Sequence, residues 1–229
     1  MHQRAALGNS RHEFFFALFS LLRFSASLGL IERPIVQALI FGALTGETTL
    51  ALQIAIFFEL FWLDLFPAGT YLPPNAAASN LASLFLVRVS ALHDPGQIAA
   101  VMLLTLPLAR IFGKLETSQR VLANSFYNRL LKWSRQGPGK MRPGRLILES
   151  MTVQFALNAI GFALALGALL ALLSLVSGKL FAAFQGLGVG FAHMWILGSL
   201  GAVLSLRYRP AQTTLAAGAA LLALAAMFS

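Results

Sequence analysis

Cysteine is absent from the 229 residues, and charge is scarce: 17 Lys and Arg with 8 Asp and Glu make up only 11% of the chain. Without cysteine there are no disulfides, thiolate metal sites, iron–sulfur clusters or thiol nucleophile. The histidines stand at 2, 12, 93 and 193, so none pair at i, i+4 spacing for a zinc-binding helix. No Walker A run occurs, which excludes ATP hydrolysis by the phosphate-loop route. Gly186-Leu187-Gly188-Val189-Gly190 lacks the strand and acidic partner of a dinucleotide loop and reads instead as a small-residue helix contact. No cofactor and no metal are expected. The shortage of charge excludes more. A soluble domain carries roughly 25% charged and about 45–50% apolar residues, whereas this chain is 58% hydrophobic with a mean hydropathy of +0.75. The composition is that of an integral membrane protein.

The net charge of +9 could suggest nucleic acid, but the charges are not spread. Nine basic residues lie between Arg110 and Arg145, opposed only by Glu116. A basic stretch between apolar segments is the ordinary mark of a cytoplasmic loop, so nucleic acid is not the expected partner. With this loop inside, the segments 146–176, 180–206 and 211–228 alternate across the membrane and Arg207 and Arg209 fall inside, in keeping with the positive-inside rule.

Residues 14–31 are apolar apart from Arg23. Ser25-Ala26-Ser27 resembles a signal cleavage site, but Arg23 and the hydrophobicity that follows favour a retained membrane helix. The stretch 35–66 is more informative. It is apolar over a length well beyond the about 20 residues of a straight span, yet Thr45-Gly46-Glu47-Thr48-Thr49 interrupts it. The halves, 35–44 and 50–63, suit either a re-entrant element or two tilted helices with a short exposed turn. Non-helical backbone at membrane depth survives only where protein or a water-filled cavity satisfies it. Pro67, Gly69, Pro73 and Pro74 then predict a turn leading into helices at 76–92 and 97–112, separated by His93-Asp94-Pro95-Gly96. Leu122, Phe126, Leu130 and Trp133 predict a separate amphipathic helix over 116–133, ended by Gly137-Pro138-Gly139. The fold expected is all-α, with about 6–8 hydrophobic helices in one membrane-embedded domain over 1–229. Its parts are N-terminal helices with a broken segment (1–112), a basic cytoplasmic region (113–145) and C-terminal helices (146–229).

Three carboxylates, Glu47, Glu59 and Asp64, lie in the broken stretch. Glu59 is set in Ile56-Phe57-Phe58-Glu59-Leu60-Phe61-Trp62, with no basic neighbour in sequence. Intramembrane ionisable groups are functional by default, facing a cavity or a paired charge. The alternatives for Glu59 are a ligand contact, a protonated carboxyl hydrogen-bonded to backbone, or a pairing with Arg23, Arg33 or Arg88 from another helix. Asp64 reads as interfacial. Gln37, Gln53, Asn75 and Asn80 supply amides nearby, and carboxylates with amides in a dry site suit a polyhydroxylated ligand. Trp62 and Phe58 could pack on a sugar ring, although core packing is the commoner fate of such rings. His193 reads as a hydrogen-bonded core residue in mid-helix.

The runs Glu32-Arg33-Pro34-Ile35-Val36, Gly42-Ala43-Leu44-Thr45-Gly46-Glu47 and Phe58-Glu59-Leu60-Phe61-Trp62-Leu63, followed by Gly69 to Ala77 with Pro73-Pro74-Asn75, carry a specific likeness. Together they resemble the IIC component of the mannose/fructose/sorbose family of the bacterial sugar phosphotransferase system, mainly over residues 28–90. The resemblance implies a sugar-translocating subunit of the bacterial inner membrane. It would work with a IID membrane subunit and cytoplasmic IIA and IIB phosphocarriers, with phosphoryl transfer on those other chains. The family's helix Glu corresponds to Glu59, its Gly-Asp break to Gly46-Glu47, and Asn75 stands where an Asp is common. The sugar-site residues expected are Glu59, Glu47, Asn75 and Gln53, with no catalytic residue on this chain and homo-oligomerisation possible. Two other classes fit the composition: a non-transporting membrane scaffold or regulator, and an ion-coupled transporter using Glu47 or Glu59.

Overall fold

The computed structural model describes residues 33–63, 72–136, 143–185 and 188–205, with 213–214 and 217. Arg23, Ser25-Ala26-Ser27, Asp64, Pro67, Gly69, Gly137-Pro138-Gly139, Arg207 and Arg209 lie outside these, as does most of the segment 211–228.

The described residues form six helices and no strand: α1 (Pro34–Thr45), α2 (Thr48–Phe61), α3 (Ala76–Val89), α4 (Pro95–Gln136), α5 (Pro143–Gln185) and α6 (Phe191–Ser205). The all-α expectation holds. Pro34 opens α1 at the position where its missing N–H costs nothing. Gly46 closes α1 in the left-handed conformation, φ 80°, with its N–H on the Gly42 carbonyl at 2.8 Å. Thr48 then starts α2, so the polar interruption at 45–49 is a tight helical hairpin. A Cβ on Gly42 would fall 2.5 Å from the Thr48 Cα, which shows how closely the two helices cross near the turn. At 12 and 14 residues, α1 and α2 are roughly 18 and 21 Å long at 1.5 Å per residue. Both fall short of a hydrocarbon layer of about 30 Å.

Asn75 caps α3, its Oδ1 accepting the Ala78 N–H at 3.1 Å, directly after Pro73-Pro74. Asp94 does the same for α4, its Oδ2 accepting the Gln97 N–H at 3.1 Å, with Pro95 as first helical residue. The turn expected at 93–96 is therefore the start of a helix. α3 is the central element, and every residue from Ala77 to Val87 is buried. Its polar groups are bonded inward. Ser79 Oγ donates to the Thr105 carbonyl at 2.8 Å. The Thr105 hydroxyl donates to Met102 O at 2.8 Å, which leaves Ser83 as donor in the 2.6 Å Ser83–Thr105 contact. Phe57, Phe58, Ile54 and Ala55 of α2, Leu86 of α3, Ile98 and Met102 of α4, and Phe162 and Leu166 of α5 fill the core.

Helices α4 and α5 run antiparallel over nearly their whole length. Gly96 lies against the Phe184 carbonyl, the Phe112 and Phe162 rings are 5.9 Å apart, and Gln119 bonds Asn158 at 2.8 Å. Two expectations are corrected here. The basic stretch is not a separate helix, because α4 continues from the apolar segment through Gln136. Only Gly113 and Pro107 interrupt its helix-forming residues, and tertiary packing overrides both. Likewise Ser177-Gly178-Lys179 is no boundary. A lone Gly costs only about 1 kcal/mol, and Phe181 and Phe184 beyond it pack against the core. The break falls instead before α6, where Gly188 has φ 59°.

Within α4 and α5 the stretches Pro95–Lys132 and Gly144–Phe184 are long and apolar enough to cross a membrane. Much of α5 faces outward, with Leu164 70% and Leu175 84% exposed. An apolar surface of that extent belongs against lipid or another apolar partner. Trp195 ties α6 to the bundle through its indole N–H, which donates to the Gln53 carbonyl at 3.0 Å.

Replacing Gly42 by Val places side-chain atoms against backbone that cannot give way. Thermal unfolding of the purified protein in detergent should show a loss of about 1–3 kcal/mol, and a variant as stable as the parent would contradict the close crossing.

Candidate functional site

The α1–α2 hairpin brings Arg33, at the N-cap of α1, to Glu59 in the last turn of α2. Arg33 Nη1 donates to Glu59 Oε1 at 2.9 Å; the Glu59 side chain is 15% exposed and that of Arg33 43%. Glu59 Oε2 is buried with no hydrogen-bond partner among the described residues. Both charges oppose their helices' dipoles, since a cation is unfavourable at a helix N-terminus and an anion at a C-terminus. Helix stability therefore does not account for either one.

One turn along α1 from Arg33, the fully buried Gln37 meets the fully buried Asn80 of α3. Asn80 Nδ2 donates to Pro34 O at 3.1 Å and to Gln37 Oε1 at 3.2 Å. Gln37 Nε2 and Asn80 Oδ1 have no partner among the described residues. The Pro34 end of α1 thus gathers three buried polar atoms without partners among the described residues, one a donor and two acceptors. A buried group left in that state costs about 1–3 kcal/mol.

Glu47 stands in a different setting. It occupies the N-cap of α2 and accepts a hydrogen bond from Arg88 in the last turn of α3. Here the anion sits at a helix N-terminus and the cation at a C-terminus, both favoured positions. The pair is about one-third to one-half exposed and fastens α3 to the hairpin turn. Twelve residues along α2 separate the two glutamates, roughly 18 Å. Helical periodicity also points Glu47, Gln53 and Glu59 in directions about 120° apart. Gln53 is half-buried in the middle of α2, where its carbonyl accepts from Trp195.

Pairings of Asn80 with Pro34 and of Arg88 with Glu47 show that α3 runs parallel to α1. The N-terminus of α3, with Asn75, therefore lies at the Glu59 end. Asn75 is buried and its Oδ1 serves the cap, while its N–H donates to Ala109 O at 2.8 Å. Of the expected site residues, then, Glu59 and Asn75 share one end of the three-helix unit, and Glu47 and Gln53 lie elsewhere on α2. Phe58 is fully buried with its ring stacked on half-buried Trp62 at 5.8 Å, which makes Phe58 a core residue. His193 is exposed in the first turn of α6, its Nδ1 accepting the Gly190 N–H at 3.1 Å; it is a capping group rather than the core residue expected in mid-helix.

The sequence left Arg33 as one of three possible partners for Glu59. The signal that singles it out is symmetry, because residues 33 and 59 are nearly equidistant from the Gly46–Glu47 turn. The Gln37–Asn80 pairing and the Gln119–Asn158 pairing carry no comparable signal, since both depend on how separate helices dock.

Described residues that are all helical, with two helices long and apolar enough to cross a membrane and a largely buried carboxylate at the open end of a short helical hairpin, fit an integral membrane subunit. Residues 14–141, more than half of the chain, match the family model described as the PTS system sorbose-specific IIC component. The chain belongs to this family and is thereby a sugar-transport membrane subunit of the mannose/sorbose type of phosphotransferase system, acting with other components of that system. No curated protein matches the chain.

The burial asymmetry yields a test. Arg33→Gln strands a mostly buried carboxylate, whereas Glu59→Gln leaves an arginine that reaches solvent. Thermal unfolding should therefore show Arg33→Gln as the more destabilising of the two, with the double variant close to Glu59→Gln alone. The reverse order would contradict the assigned pairing.

Proposed function

We propose that the chain is the IIC subunit that binds a hexose-like sugar within its membrane-embedded domain, with Glu59 as the principal sugar ligand. The observation that carries this reading is the half-satisfied Glu59 carboxylate, with one oxygen on Arg33 and the other buried without a donor among the described residues. A sugar hydroxyl supplies the donor that Oε2 lacks. Sugar hydroxyls both donate and accept, so they also match the unpartnered donor of Gln37 and acceptor of Asn80. Asn75 lies at the same end of the hairpin and shapes the site by capping α3. Glu47 holds the turn through Arg88, and Gln53 sits between the two ends. Arg33 orients the carboxylate, so that its second oxygen meets the sugar in a fixed direction.

In this reading the hairpin is a re-entrant element of one membrane-embedded domain over 1–229, in the bacterial inner membrane. The region 110–145 faces the cytoplasm, where IIA and IIB carriers deliver phosphate to the sugar, and a IID subunit completes the passage. The chain supplies passage and recognition. Its basic face steers the phosphorylated carrier. A second reading, a non-transporting scaffold, draws on the same Arg33–Glu59 pair, which it treats as purely structural.

Uptake of sorbose, mannose and fructose in cells carrying all the system's components separates the two. Glu59→Gln should reduce uptake at least a hundredfold while membrane insertion and melting temperature stay near those of the parent. Full uptake by that variant would remove Glu59 from the site, and no uptake of any hexose by the parent would favour the scaffold. The re-entrant placement has its own check. A Thr48→Cys variant, in a chain without native cysteine, should label with a membrane-impermeant maleimide far more slowly than an exposed loop cysteine. Labelling at the full aqueous rate would place the turn in bulk solvent.

A further inference from the structure

Helices α4 and α5 hold 42 and 43 residues, roughly 63 Å each and about twice the hydrocarbon thickness. Their distal halves, where α4 carries the basic residues, therefore extend beyond a perpendicular span. They do not become a water-soluble hairpin, because aliphatic side chains remain exposed on both helices there. Ile147 and Leu148 are 56% and 65% exposed, and Val121 on α4 is 67% exposed. A surface that joins exposed aliphatic side chains to Arg and Lys is built for the lipid headgroup region.

Between these distal halves lies a cavity of about 450 Å³ whose walls include Phe126, Tyr127 and Leu130 of α4 and Leu146, Met151 and Gln154 of α5. That volume falls in the range of about 300–1,000 Å³ typical of small-molecule sites. The lining is mainly apolar, with polar groups from Tyr127, Ser150 and Gln154. At its margin the Arg129 guanidinium stands over the Phe126 ring, 5.4 Å from the centroid. Lys132 and Arg145 are exposed close by in sequence, Arg145 next to the lining residue Leu146. Arg120 is engaged by Glu116 at 3.1 Å, and Glu149 is the acidic residue nearest Arg145 on α5.

We propose that this cavity binds an anionic phospholipid, with part of an acyl chain between Phe126, Leu130, Leu146 and Met151 and the phosphate against Arg129 and Arg145. The acyl chain accounts for an apolar cavity at the end of a membrane helix pair, and the phosphate accounts for the basic margin, which a zwitterionic lipid would neutralise less well. An acidic protein would satisfy the arginines but leave the adjoining aliphatic surface without a partner.

The test uses the full chain in detergent, titrated with phosphatidylglycerol or phosphatidylcholine of identical acyl chains and read by native mass spectrometry. The parent should bind phosphatidylglycerol about tenfold more tightly. Arg129→Gln with Arg145→Gln, both at exposed positions, should reduce that preference to about twofold or less, and Met151→Trp should weaken both lipids by filling the cavity. Equal binding of the two lipids by the parent would overturn the proposal, as would an unchanged preference in the double arginine variant. Full competition by glycerol phosphate would also overturn it by showing a site for soluble anions, as would RNA or an acidic protein binding at these arginines without lipid preference.

Discussion

A carboxylate held at the wrong end of its own helix is the constraint on which the account rests. Glu59 sits in the last turn of α2, where the helix dipole disfavours it, and its neighbour across the hairpin is an arginine at the equally unfavourable start of α1. Each charge offsets the cost imposed on the other, yet one carboxylate oxygen is still left over. The Glu47–Arg88 pair is the useful contrast. It joins two charges that each suit their helix end, and it is more exposed. The same chemistry, a glutamate with an arginine, thus has a structural explanation at one end of the hairpin and lacks one at the other.

The geometry that delivers Glu59 to Arg33 depends on two glycines. Gly46 permits the left-handed residue that stops α1, and Gly42 permits α2 to return against it almost in backbone contact. Because the turn is only two residues long, the positions of all later side chains on α2 relative to α1 follow from it. α3 then packs alongside α1 in the same direction, and its Asn80 reaches back to Pro34. The buried amides and the carboxylate consequently gather at the open end of the hairpin, away from the turn.

Much of this was legible beforehand. The polar Thr45–Thr49 interruption marked a break, the prolines and Asn75 marked the entry to α3, and the apolar run around Glu59 marked an embedded charge. What escaped the sequence has physical causes. Hydropathy cannot show that a basic segment continues an apolar helix, because helix formation depends on backbone propensity and on the α5 surface beside it rather than on polarity. Gly178 suggested a boundary, but packing by Phe181 and Phe184 outweighs the small cost of one glycine. The expected joint use of Glu47 and Glu59 rested on two carboxylates in one interrupted apolar stretch and on the family motif, and a helix of that length sets them roughly 18 Å apart.

Isotope-edited infrared difference spectroscopy addresses the central claim most directly, because it reads the carboxylate itself. In vesicles holding the chain with the other components of its system, adding sorbose, mannose or fructose should shift a carboxylate stretching band, and that shift should vanish in Glu59→Gln. A sugar that binds while the Glu59 carboxylate band stays unmoved would contradict the account.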